Sequence, residues 1–147
     1  MKVNIKNYTS TVAASKSVLR IEEILVDLGA QNINKSYVDG RLNAISFLVS
    51  VNGNTIPFKV PAKVGQVEDA ILKTYKRITP SIRRGIAEQS ERTAWKICSD
   101  WVEIQATVIR LQQAEFVEVF LPYVYNIEND QTFFEKLKGT GFKQLAK

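Results

Sequence analysis

The chain reads as an α+β fold, a small N-terminal antiparallel sheet with one helix followed by a C-terminal helical part, and three features predict it. Two Asx-Gly pairs, Asp39-Gly40 and Asn52-Gly53, sit between apolar runs where two-residue hairpin turns belong. From Pro61 onward such turn signals thin out and helical spacing takes over. An amphipathic pattern then persists from Pro80 to Leu111, enough for about nine turns and ~45–50 Å of helix.

Taken in order, Val3 to Tyr8 alternates as a short strand. Ser15 is a plausible N-cap for a helix carrying Val18, Ile21, Leu25 and Leu28 at three- and four-residue spacing, and Gly29 stops it. Ile33 to Val38, Leu42 to Val51 and Thr55 to Val60 form a three-stranded meander. Leu42 to Val51 is apolar on both faces, as a central strand is, with Ile45, Phe47, Val49 and Val51 on one and Leu42, Ala44 and Leu48 on the other. Pro57 cannot donate to a ladder, which puts Thr55 to Val60 at an edge.

A helix is expected across roughly Val64 to Arg77. Thr79-Pro80 starts the next, with threonine capping and proline at the first helical position, where no amide hydrogen is needed. Ile82, Ile86, Thr93, Ile97, Trp101, Ile104, Val108 and Leu111 form its apolar stripe. Shorter helical pieces follow at Ala114 to Leu121, ending at Pro122, and at Gln131 to Leu137, before Gly139. The expected division is an α+β part over residues 1–62 and a helical part over 63–147, forming one folded unit. So long a stripe in a chain of 147 residues exceeds what one meander covers, which predicts a homo-oligomer, most simply a dimer.

Composition excludes more than it assigns. With no histidine, the chain lacks the usual general base, the usual zinc ligand and the partner of most serine or cysteine nucleophiles. The single cysteine, Cys98, can neither close an internal disulfide nor build a zinc site, and reads as a small buried residue in a reducing compartment. No apolar run reaches the ~20 residues of a membrane span, and the start MKVNIKNYTS lacks a signal-peptide core. A cytoplasmic protein without catalytic residues, metal or cofactor is expected.

The net charge of +5 is unevenly placed. Residues 97–130 hold one basic group, Arg110, and six acids, whereas 63–96 hold eight basic groups and four acids, and 131–147 hold four and one. Lys73, Lys76, Arg77, Arg83 and Arg84 bracket the expected helix junction, with no acid between Ile71 and Ala87. Cations in the first turns of a helix oppose its macrodipole. Either they attract an anion, using guanidinium forks and free amides together, or they extend into solvent and pair with Glu88 and Glu91.

Aromatic residues interleave these charges. Tyr75 lies between Lys73 and Arg77, and Trp95 between Arg92 and Lys96; a ring beside cations can stack on a base. Trp95 is off the main stripe and reads either as packed or as a stacking platform, while Trp101 reads as core. The candidate anion site is thus Lys73, Tyr75, Lys76, Arg77, Arg83, Arg84, Arg92, Trp95 and Lys96. Lys138-Gly139-Thr140-Gly141 lacks the phosphate-loop pattern and reads as a helix end and tail. Glu22-Glu23 and Asp100/Glu103 read as solvated helix faces.

Arg92-Thr93-Ala94-Trp95, Asp100-Trp101, Glu118-Val119-Phe120-Leu121-Pro122-Tyr123 and Phe134-Glu135, with the N-terminal IKNYTSTVAASKS and the NGNTIPFKVPA edge, resemble a family of small proteins encoded in phage and prophage genomes. The resemblance covers most of the chain and implies a phage accessory protein made inside a bacterial host cell. Two binding roles suit such a chain. One counters host defence, by sequestering an anionic nucleotide-type signal or blocking a defence protein; the other is a nucleic-acid-binding accessory in phage replication, recombination or transcription. A nucleotide-cleaving enzyme would have to work with Lys, Tyr and carboxylates alone.

Overall fold

The computed structural model describes residues 4–147 and shows the mixed fold: a three-stranded antiparallel sheet, then a long helix and a C-terminal helical part. The order is α1 (Ala14–Asp27), β1 (Gln31–Val38), β2 (Arg41–Val51), β3 (Asn54–Pro61), α2 (Val64–Leu72), α3 (Pro80–Arg110), α4 (Phe116–Phe120), β4 (Tyr125–Asn126), β5 (Gln131–Thr132) and α5 (Phe133–Gly139). Short 3-10 turns, Leu121–Tyr123 and Lys143–Leu145, follow α4 and α5. Among the described residues no helix is long and apolar enough to cross a membrane.

Both hairpins form at the expected residues for the expected reason. Asp39 (φ 51°) and Gly40 (φ 75°), then Asn52 (φ 50°) and Gly53 (φ 80°), adopt the paired left-handed conformations of two-residue turns. They set the registers Val38↔Arg41 and Val51↔Asn54, with β2 central and the Pro57 strand, β3, at an edge. The N-terminal strand is not there. Val3 lies outside the described residues, and beyond it the chain turns: Tyr8 N donates to Ile5 O at 3.3 Å and Ser10 N to Asn7 O at 2.9 Å, with Asn7 left-handed at φ 64°.

The chain divides into two compact units, each discontinuous in sequence: residues up to Ile24 with Ala62–Ile104, and Leu25–Pro61 with Gln105–Lys147. In the second unit, four phenylalanines knit the sheet to α4. Phe47 and Phe58, paired in the β2–β3 register, stack at 5.5 Å; Phe116 and Phe120 stack at 4.4 Å, and the pairs meet edge to face at 5.4 to 6.3 Å. Such contacts add ~0.5–1.5 kcal/mol each to the burial of the rings. Arg110 donates to Asp27 in the same unit, and Lys59 reaches Asp130 at 3.2 Å.

In the first unit, the α3 face that is buried differs from the one expected. Ile86, Ser90, Ala94, Cys98 and Val102 recur every four residues, joined by Thr93, Trp95 and Ser99. Of the expected stripe only Ile86 and Thr93 are buried, while Ile104 and Leu111 are exposed. Small residues let a helix backbone approach its neighbours closely, so burial here follows shape more than hydrophobicity. Trp101 is only half-buried, and it is Trp95, at 0% exposure, that fills the interior. Cys98 is buried as expected, and desolvation pushes its thiol up to about 12.

Candidate anion-binding corner

Two local hydrogen-bonding choices shape the corner between α2 and α3. The expected helix to Arg77 ends at Leu72, because Thr74 turns its hydroxyl onto Ile71 O at 2.7 Å while Tyr75 N donates to Leu72 O at 3.1 Å. Tyr75, Lys76 and Arg77 therefore lie in a non-helical connection that bends at Lys76. Thr79 then caps α3 as the sequence predicts: Ile82 N donates to its Oγ1 at 3.2 Å, and Arg83 N to its carbonyl at 2.9 Å.

Six of the nine candidate residues gather at this corner. Lys73, Tyr75, Lys76, Arg77, Arg83 and Arg84 are all exposed, and Tyr75 shows 46% of its surface. Among the described residues none of the five cations has a carboxylate partner, and Glu88 and Glu91 pair with none of them. The free amides imagined for an anion are scarce, however. Pro80 has no N–H and the Ile82 amide is already capped, which leaves Thr79 and Ser81 as the amides at the helix start without a protein acceptor among the described residues. Attraction at the corner rests on side-chain charge.

The other three candidates do other work. Trp95 is enclosed and presents no face for stacking. Arg92 donates to Gln89 Oε1 at 2.7 Å, and Lys96 to Asp100 Oδ1 at 3.0 Å. Lys96 stands twelve residues past Arg84, about 18 Å along the helix, so the nine residues do not converge on one ligand.

Arg92 and Lys96 belong instead to a clamp that sequence reading missed. Polar residues at four-three-four spacing on α3 hold the N-terminal turn: Gln89 Nε2 donates to Ser10 O at 3.0 Å, Thr93 Oγ1 donates to Asn7 O at 2.8 Å, and Asn7 Nδ2 donates to Asp100 Oδ2 at 2.9 Å. Lys6 lies 3.4 Å from the same carboxylate. Burial alone would raise the Asp100 pKa, but hydrogen bonds from Asn7, Lys96 and Lys6 and the Lys96 charge outweigh it, holding the carboxyl below its usual range. The periodic row Gln89, Thr93, Lys96, Asp100 was the signal that marked this face.

Among the described residues no group of three His, Cys, Asp or Glu side chains is placed to hold a metal ion. Comparison with protein-family models, with curated proteins and with solved structures returns no match, so fold and site rest on the chain's own residues.

Proposed function

We propose that the chain acts by non-catalytic binding of nucleic acid, with the α2–α3 corner as a contact to the phosphate backbone. The observation that carries this reading is the set of five exposed cations, Lys73, Lys76, Arg77, Arg83 and Arg84, around one helix junction and without carboxylate partners among the described residues. Exposed charges suit a polymer, whose many phosphates need no shaped pocket and whose counterions are released on binding. A lone mononucleotide would gain more from preorganised amides, and the α3 N-terminus has few to give. Tyr75 adds an exposed ring beside the charges.

In the phage setting that the sequence resemblance implies, such a binder serves replication, recombination or transcription. Fluorescence anisotropy with labelled DNA and RNA, as salt is raised, tests the reading. Binding that weakens steeply with salt supports it. If nucleic acid is not bound but a nucleotide-type signal is, and heat releases that signal intact, sequestration against host defence takes its place. If neither binds at moderate salt, the corner is a solvated face and a host defence protein becomes the partner to seek.

A further inference from the structure

A second surface, at the end of the Leu25–Pro61 with Gln105–Lys147 unit, has no part in the corner. Helix α5 ends in a Schellman cap, in which Phe142 N donates to Leu137 O at 2.9 Å and Gly141 N to Lys138 O at 3.0 Å, with Gly141 left-handed at φ 68°. The cap folds Phe142 back until its ring lies 5.9 Å from that of Phe134, tilted by 46°. Both remain partly open to solvent, Phe134 at 46% exposure and Phe142 at 39%.

Lys138 lies one helical turn from Phe134 and Lys143 follows Phe142, whereas Lys136 lies on the other side of α5 from Phe134. Lys136, Lys138, Lys143 and Lys147 are exposed, and none forms an ion pair among the described residues. The one acid in residues 131–147 is Glu135, and its Oε1 is occupied at the head of the helix by the Thr132 amide at 2.9 Å and the Thr132 hydroxyl at 3.0 Å. Exposed aromatic faces fixed in place beside unpaired lysines match the two needs of an unpaired nucleotide chain, stacking for its bases and positive charge for its phosphates. Duplex bases are already stacked on one another and offer no face. A lipid surface would want a longer apolar face than the seven residues of α5 provide.

We infer that Phe134 and Phe142 form a base-stacking platform for single-stranded nucleic acid, with Lys138 and Lys143 contacting its phosphates. This deepens the nucleic-acid reading and rests on it, while adding a strand preference and a location. The test measures anisotropy of labelled oligothymidylate, an abasic strand of equal length and a duplex with the wild-type chain and the F134L/F142L variant, which keeps apolar bulk. The wild type binds oligothymidylate more tightly than the abasic strand. The variant loses on the order of tenfold per ring toward oligothymidylate and little toward duplex.

Equal affinity of wild type and variant for oligothymidylate overturns the platform while leaving the corner reading intact. No binding of any strand by the wild type overturns both. Should phosphatidylserine vesicles retain the wild type but not the variant, with no strand bound, the face is a lipid surface and the inference fails. If the double variant does not fold, amide shifts of the wild type on titration with oligothymidylate decide the matter. Movement across residues 134–145 supports the platform, and silence there refutes it.

Discussion

Removing Arg83 and Arg84 should change the salt dependence of nucleic-acid binding before it changes anything else. Each phosphate neutralised contributes about −0.9 to the slope of log affinity against log salt on duplex DNA. The five unpaired cations of the corner therefore predict a slope of about −4.5, and a loss of roughly 500-fold between 50 and 200 mM salt. The R83A/R84A variant keeps three of them, for a slope of about −2.7 and a loss of roughly 40-fold. Both side chains are exposed and form no ion pair among the described residues, so the fold should not suffer. Alanine favours helix, and removing cations near an N-terminus relieves the macrodipole, so stability should hold or rise by a few tenths of a kcal/mol. Anisotropy titrations at four salt concentrations, with thermal melts of both proteins, make the measurement. A slope unchanged in the folded variant would refute the placement of the contact at the corner.

Four further outcomes follow from the packing. Trp95→Ala should cost about 3–5 kcal/mol in urea unfolding, as expected for a fully enclosed ring, and Trp95 emission in a W101F background should resist iodide quenching more than Trp101 emission in W95F. The Asp100 carboxyl is held below its unfolded value of about 3.9, so its contribution is complete above that pH and is lost as pH falls through the lower, folded value; D100N should melt with a shallower dependence on acid. Cys98, buried with its thiol raised to about 12, should react with a thiol reagent at pH 8 only at the rate of unfolding, and fast labelling of the native protein would contradict that burial. Light scattering tests the expected homo-oligomer: a dimer mass that falls to monomer in I104D supports it, and a wild-type monomer ends it.

Features set by neighbouring residues were legible in the sequence. The Asx-Gly turns, the central and edge strands and the Thr79-Pro80 start depend on local backbone geometry, and each appears where its residues demand. The N-terminal segment was misread because Val3 to Tyr8 has the alternation of a strand, whereas its conformation is decided by Gln89, Thr93 and Asp100, some 80 to 90 residues away. Lys73 to Arg77 lost its helix to one threonine hydroxyl at position 74, a competition that apolar periodicity does not register.

The tryptophans show why the candidate site was only partly legible. Summed hydrophobicity favours a face of Ile97, Trp101, Ile104, Val108 and Leu111 for the core of α3, and that ranking leaves Trp95 free to serve a ligand. A close-packed interior instead selects for fit, and the buried row of Ser90, Ala94, Cys98 and Val102 drifts about 40° per step around the helix, away from that stripe and towards the side that carries Trp95. Charge obeys a similar distinction. Counting placed the basic excess correctly, but pairing decides which cations are available, and pairing is tertiary. Lys96 is drawn into a carboxylate that Asn7 and Lys6 also hold, while Arg84, with Glu88 four residues on, makes no such bond. The same consideration raises the four tail lysines, outnumbered in the sequence by the cluster before Trp95, to equal standing: the one acid of residues 131–147 already accepts from Thr132, and two exposed rings share their segment.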